Sequence, residues 1–188
     1  MNLRISSEIV HNIGKPEKLV VMFHGYISYP GYFNSRIREL INNISDVALH
    51  LPEAPLECEI YPERLQWYSM HRFDPNDDRK TVETLEECLN FYNLMQPGLN
   101  EAFEMVNKYI DNLLKKYGLS DKDLFICGFS QGAMLATYTS LMRKSKIAGC
   151  ISFSGVVAGY EYLIKNAKSN PDFLLIHGNN DNLVRMMF

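Results

Sequence analysis

The sequence predicts an α/β fold with a largely parallel central sheet flanked by helices. Short apolar runs of strand length alternate with segments of helical periodicity from residue 19 to the end. The first of these runs is continuous and rich in β-branched residues, as a strand buried on both faces is. A glycine-flanked serine stands where a later apolar run passes directly into a small-residue helix. A length of 188 residues suits one domain with a real core, and residues 1–188 are read as one.

Leu19 to Phe23 forms the first strand, ended by His24 and Gly25. Phe33, Ile37, Leu40 and Ile41 fit one face of a helix over 32–42, and Val47 to Leu51 reads as the next strand, stopped by Pro52. Residues 57–79 read as an irregular loop containing Trp67, the only tryptophan, and long loops of this kind tend to be functional. A helix is expected over 81–92. A stronger one follows Pro97, where Leu99, Phe103, Val106, Ile110, Leu113 and Tyr117 recur every three or four residues before Gly118. Strands are expected at Leu124 to Cys127, Ile147 to Phe153 and Phe173 to Ile176, with a helix after Ser130.

With 46% hydrophobic and 22% charged residues the composition is that of a globular chain, neither disordered nor membrane-embedded. A net charge of -3 with scattered basic residues offers no stripe or patch for nucleic acid. Cys58, Cys88, Cys127 and Cys150 form no CxxC pair and read as buried free thiols of a reducing compartment. The first 18 residues lack the apolar core of a signal peptide, and no run approaches the length of a membrane span. The expectation is a cytoplasmic protein without stable membrane insertion.

Gly128-Phe129-Ser130-Gln131-Gly132 carries the chemistry. A nucleophile elbow puts its serine on a turn so tight that side chains two positions away would strike the backbone, and glycine at both flanks relieves this. The helix that follows aims its first amides and positive dipole end at the reacting oxygen. His24-Gly25-Tyr26 closes the first strand at its carboxyl end, where open α/β sheets bind ligands. The backbone N–H groups of Tyr26 and Gln131 are therefore the candidate oxyanion donors. His24 itself reads as a structural histidine fixing its loop. Asp181 follows the apolar strand ending at Ile176 and lies downstream of the serine, so it is the candidate acid that orients a base. Trp67 reads equally as the wall of a substrate groove or as plain core. The segment 70–80 shows no recurring ligand spacing, and no metal site is expected. A dinucleotide or phosphate binder is disfavoured, because neither GxGxxG nor GxxxxGK[ST] occurs.

Six segments in order, LVVMFHGY, LPEAP, QWYS, LFICGFSQGAMLA, ISFSG and LLIHGNNDNLV, span residues 19 to 184. Together they resemble the phospholipase/carboxylesterase family of α/β-hydrolases, which includes acyl-protein thioesterases and bacterial carboxylesterases. The resemblance implies a serine hydrolase of small-molecule esters, thioesters or lysophospholipids with apolar acyl groups. It implies no metal or cofactor, Ser130 and Asp181 as catalytic residues, Tyr26 and Gln131 at the oxyanion, and Trp67 beside the substrate. An apolar groove at the site's mouth would suit a homodimer or an encounter with a membrane surface.

The resemblance also implies a base histidine some tens of residues after the acid, beyond another helix and a last strand. The histidines at 11, 24, 50, 71 and 177 all precede Asp181, and the sequence ends at Phe188. The expectation is therefore a hydrolase domain incomplete at its C-terminus, lacking the final strand and helix and leaving a sheet edge uncovered. The alternative function is a remnant that folds and binds acyl ligands or a partner without turnover.

Overall fold

The computed structural model describes residues 6–11, 15–29, 31, 44–76, 78 and 81–184. The helix expected over 32–42 lies outside them. Eight strands are described: β1 Ser6–His11, β2 Lys18–Phe23, β3 Val47–Glu53, β4 Leu56–Glu57, β5 Leu65–Gln66, β6 Leu124–Phe129, β7 Gly149–Phe153 and β8 Phe173–Ile176. The helices described are α1 Met70–Phe73, α2 Leu85–Asn93, α3 Gln96–Tyr117, α4 Gln131–Met142 and α5 Tyr160–Asn166.

Six strands form one sheet in the order β1-β3-β2-β6-β7-β8. All neighbours run parallel except the β1 edge strand, which pairs antiparallel with β3. Chain order therefore runs outward from β2 to β3 on one side and from β6 to β8 on the other. Such a reversal opens a crevice between the carboxyl ends of the two central strands, β2 and β6.

Strand β1 lies in a segment from which the sequence predicted no strand. Strand β3 runs on to Glu53 rather than stopping at Pro52. Its parallel ladder with β2 ends at the Val21–His50 pair, so the missing Pro52 N–H breaks no hydrogen bond on that side. The segment expected as irregular over 57–79 holds the β4–β5 ribbon and the short helix α1, which Ser69 caps by accepting from the Arg72 N–H. Helix α2 begins at Leu85, four residues later than expected, because Thr84 and Glu87 form a reciprocal capping box there.

Helix α3 buries the face expected from its periodicity and ends on Gly118 at φ +68°, whose N–H caps the Leu114 and Lys115 carbonyls. Helix α4 has no polar face. Eleven of its twelve residues are buried, packed over β2, β6 and β7 with α3 and α5 against its other sides. Arg143, just past its end, is buried and donates to Asp121, Asn107 and Asp111 at 2.6, 2.7 and 2.8 Å. Each of its nitrogens is thereby satisfied. The far edge of the sheet differs: Leu174, Leu175 and Ile176 of β8 are 53, 66 and 45% exposed. All four cysteines are free and buried.

Candidate active site

Strand β6 ends at Phe129 and helix α4 begins at Gln131, so Ser130 alone makes the turn. Its backbone sits at φ +52° and ψ -117°, a conformation that costs a non-glycine residue about 1–3 kcal/mol. Its surroundings hold it there. The Ser130 N–H donates to the Phe153 carbonyl at 2.9 Å, and its own carbonyl accepts from Ala133 and Met134 at 2.9 and 3.1 Å. The flanking glycines are required by contact: a Cβ on Gly128 would lie 2.1 Å from the Gly132 carbonyl oxygen, and one on Gly132 would lie 2.3 Å from that of His24.

Ser130 opens onto a cleft of about 370 Å³ at the carboxyl ends of the central strands, and Tyr26, Gln131 and Asp181 line the same cleft. Gln131 is the first residue of α4, so its N–H has no acceptor within the helix. Ile27, Met70, Tyr92, Met134, Leu183 and Val184 supply an apolar wall. Asp181 is oriented by its own loop. Its Oδ1 accepts from the Leu183 and Val184 N–H groups, both at 2.9 Å, and its Oδ2 lies 3.6 Å from His177 Nε2. That histidine nitrogen donates to the Val184 carbonyl at 2.6 Å. Among the described residues no imidazole lines the cleft.

His24 occupies the structural role expected of it. Its Nδ1 donates to the Gly25 carbonyl at 2.8 Å while Nε2 accepts from the Ala54 N–H at 2.9 Å, a pairing that only the neutral ring can make. Burial holds its pKa below the usual histidine value. Trp67, read equally as groove wall or core, packs as core. It is fully buried, does not line the cleft, and donates its indole N–H to the His24 carbonyl at 2.9 Å. Its contribution to the site is indirect.

Several cleft residues escaped the sequence reading. Met134 lies four residues after Ser130, one helical turn, and that spacing was available as a signal. Ile27 and Ser154 line the cleft with Ser130 at positive φ values of 58° and 49°, and nothing in residue type announces either, Ile27 least of all because a β-branched residue is poorly suited to such a conformation. Met70 and Tyr92 reach the cleft from separate helices, which only the tertiary fold brings together. Among the described residues no three His, Cys, Asp or Glu side chains are grouped to hold a metal ion, and no helix is long and apolar enough to cross a membrane.

The sequence pattern of the phospholipase/carboxylesterase family matches residues 5–188. An uncharacterized hydrolase of Schizosaccharomyces pombe is 27% identical over 155 residues, which are 80% of this chain and 58% of that protein. The chain thus spans little more than half the length of that relative. Acyl-protein thioesterase 1 homolog 2 of Dictyostelium discoideum is 23% identical over 172 residues, covering 88% of this chain and 70% of the relative. Among solved structures, the crystal structure of esterase PE8 superimposes with a TM-score of 0.80 at 28% identity, covering 97% of this chain and 78% of the other. Zea mays acyl-protein thioesterase 2 shares the fold, with a TM-score of 0.64 at 17% identity over 96% of this chain and 78% of the other.

Proposed function

The chain belongs to the phospholipase/carboxylesterase family, and from that premise we propose that it hydrolyses carboxylic esters or thioesters of apolar acyl groups through an acyl-enzyme on Ser130. The observation that carries this reading is the one-residue turn at Ser130, which opens onto a cleft shared with Asp181, Tyr26 and Gln131. In this reading Ser130 Oγ attacks the acyl carbon, and the negative charge that develops on the carbonyl oxygen falls to the Gln131 and Tyr26 N–H groups. The bond to the leaving oxygen or sulfur then breaks, and water hydrolyses the acyl-serine. Asp181 is the acid that fixes the tautomer of a general base. The apolar wall of the cleft suits an acyl chain, whether of a simple ester, a thioester or a lysophospholipid. Four free buried thiols favour a cytoplasmic setting.

A second reading, binding of acyl ligands without turnover, draws on the cleft's lining, which holds no imidazole among the described residues. Release of p-nitrophenolate from a short-chain ester separates the two. Turnover that disappears in Ser130→Ala supports the hydrolase. Saturable binding of a fatty acid that is unchanged in Ser130→Ala, with no turnover in either protein, supports the second reading and overturns the first.

A further inference from the structure

The two proposed oxyanion donors follow the ends of different strands, and one short segment, residues 65–68, is hydrogen-bonded to Gln131 and to the residues that flank Tyr26. On one side, the Trp67 backbone N–H donates to Gln131 Oε1 and Gln131 Nε2 donates to the Tyr68 carbonyl, each at 2.9 Å. Gln131 is 2% exposed, and its carboxamide pairs with this backbone through both its acceptor and its donor. On the other side, the Trp67 indole donates to the His24 carbonyl at 2.9 Å, two residues before Tyr26. Two residues after Tyr26, Ser28 and Leu65 exchange backbone hydrogen bonds of 3.3 and 2.7 Å. The Tyr26 loop is therefore fastened on both flanks to the segment that also grips Gln131.

We propose, resting on the hydrolase reading, that the Gln131 carboxamide and Trp67 are positioning residues that set the separation and direction of the Tyr26 and Gln131 N–H groups around the developing oxyanion. The physical basis is that such donors act by preorganisation, with their effect decided at donor distances of 2.7–3.1 Å from the charged oxygen. A displacement of a few tenths of an ångström weakens the transition state while leaving the apolar acyl wall intact. Glutamine suits this role because it presents an acceptor and a donor on one rigid plane, which neither methionine nor glutamate reproduces.

The test uses the rate at which Ser130 is phosphorylated by diethyl p-nitrophenyl phosphate and by its thiophosphoryl analogue. In both reactions the Oγ–P bond forms as the P–O bond to the aryl group breaks. The serine proton passes to solvent, and p-nitrophenolate leaves with the electron pair. A phosphoryl oxygen draws on the donors far more than the larger, more weakly accepting sulfur does. Gln131→Met should therefore slow the P=O reagent by about 10–100-fold and lower the P=O to P=S rate ratio by about tenfold. Trp67→Phe, which keeps one aromatic ring but loses the pyrrole ring with its N–H, should lower the same ratio by a smaller factor, and it serves if Gln131→Met fails to fold by circular dichroism. An equal fall with both reagents in a folded variant, or an unchanged ratio, overturns the positioning role. A wild-type chain whose Ser130 reacts with neither reagent overturns the hydrolase reading itself and this inference with it, so the two failures are distinguishable.

Discussion

His50 on β3 is closed off from water, its Nδ1 against the Tyr109 hydroxyl at 3.1 Å and its Nε2 against that of Tyr117 at 2.9 Å. Burial, helped by the nearby positive charge of Lys116, lowers its pKa to about 4. The unfolded chain takes up this proton near pH 6.5, so between those values the unfolded state binds more protons than the folded one. Stability is retained above pH 6.5 and falls as the pH drops through 4. His24, shifted in the same direction by burial, adds to the same slope. His50→Gln should flatten the dependence of Tm on pH between 6.5 and 4, as followed by thermal melts. A slope identical to wild type would assign the acid sensitivity elsewhere. At this scale the sequence was most informative where geometry restricts residue choice. Ser130 could be read because its neighbours two positions away must lack side chains. Trp67 could not, because the choice between cleft wall and core is made by contacts to His24 and Gln131 that are 43 and 64 residues distant.

Elements announced by a continuous periodic pattern were found close to their expected limits. Helix α3 is the clearest, with its proline near the start and a left-handed glycine at the end. Strand β1 was not read, because four of the six residues of its Ser-Ser-Glu-Ile-Val-His sequence are polar, as an edge strand paired on one side permits. The start of α2 was misplaced although Thr84 and Glu87 spell a capping box, a three-residue signal easily lost beside a long charged stretch. The junction of β6 and α4 gives the sharpest element-scale expectation. Gly132→Ala would force a Cβ against the carbonyls of Phe23 and His24 at 2.4 and 2.3 Å. It should cost roughly 1–3 kcal/mol in urea unfolding. Gly178→Ala has nothing within 4 Å of the new Cβ and is the matched control. A Gly132→Ala chain as stable as that control would mean α4 is not seated against β2 as described.

The whole molecule is asymmetric about its sheet. One edge is closed by an antiparallel strand, while β8 presents consecutive apolar side chains to water. An exposed, flat, apolar edge is a template for pairing with another chain. The 188-residue chain should associate with rising concentration, and Leu175→Lys should reduce that association in light scattering without lowering Tm. Unchanged association in the variant would locate the contact on another surface. The centre of the sheet behaves in the opposite way. Helix α4 is packed between strands and helices over most of its length, and only its first turn faces the cleft. Beyond that turn its amide hydrogens should therefore exchange with deuterium only through global opening, and the slowest exchanging stretch of the chain should begin one helical turn after Ser130. The rate at which that label enters would report how often the one-residue turn at Ser130 ceases to exist.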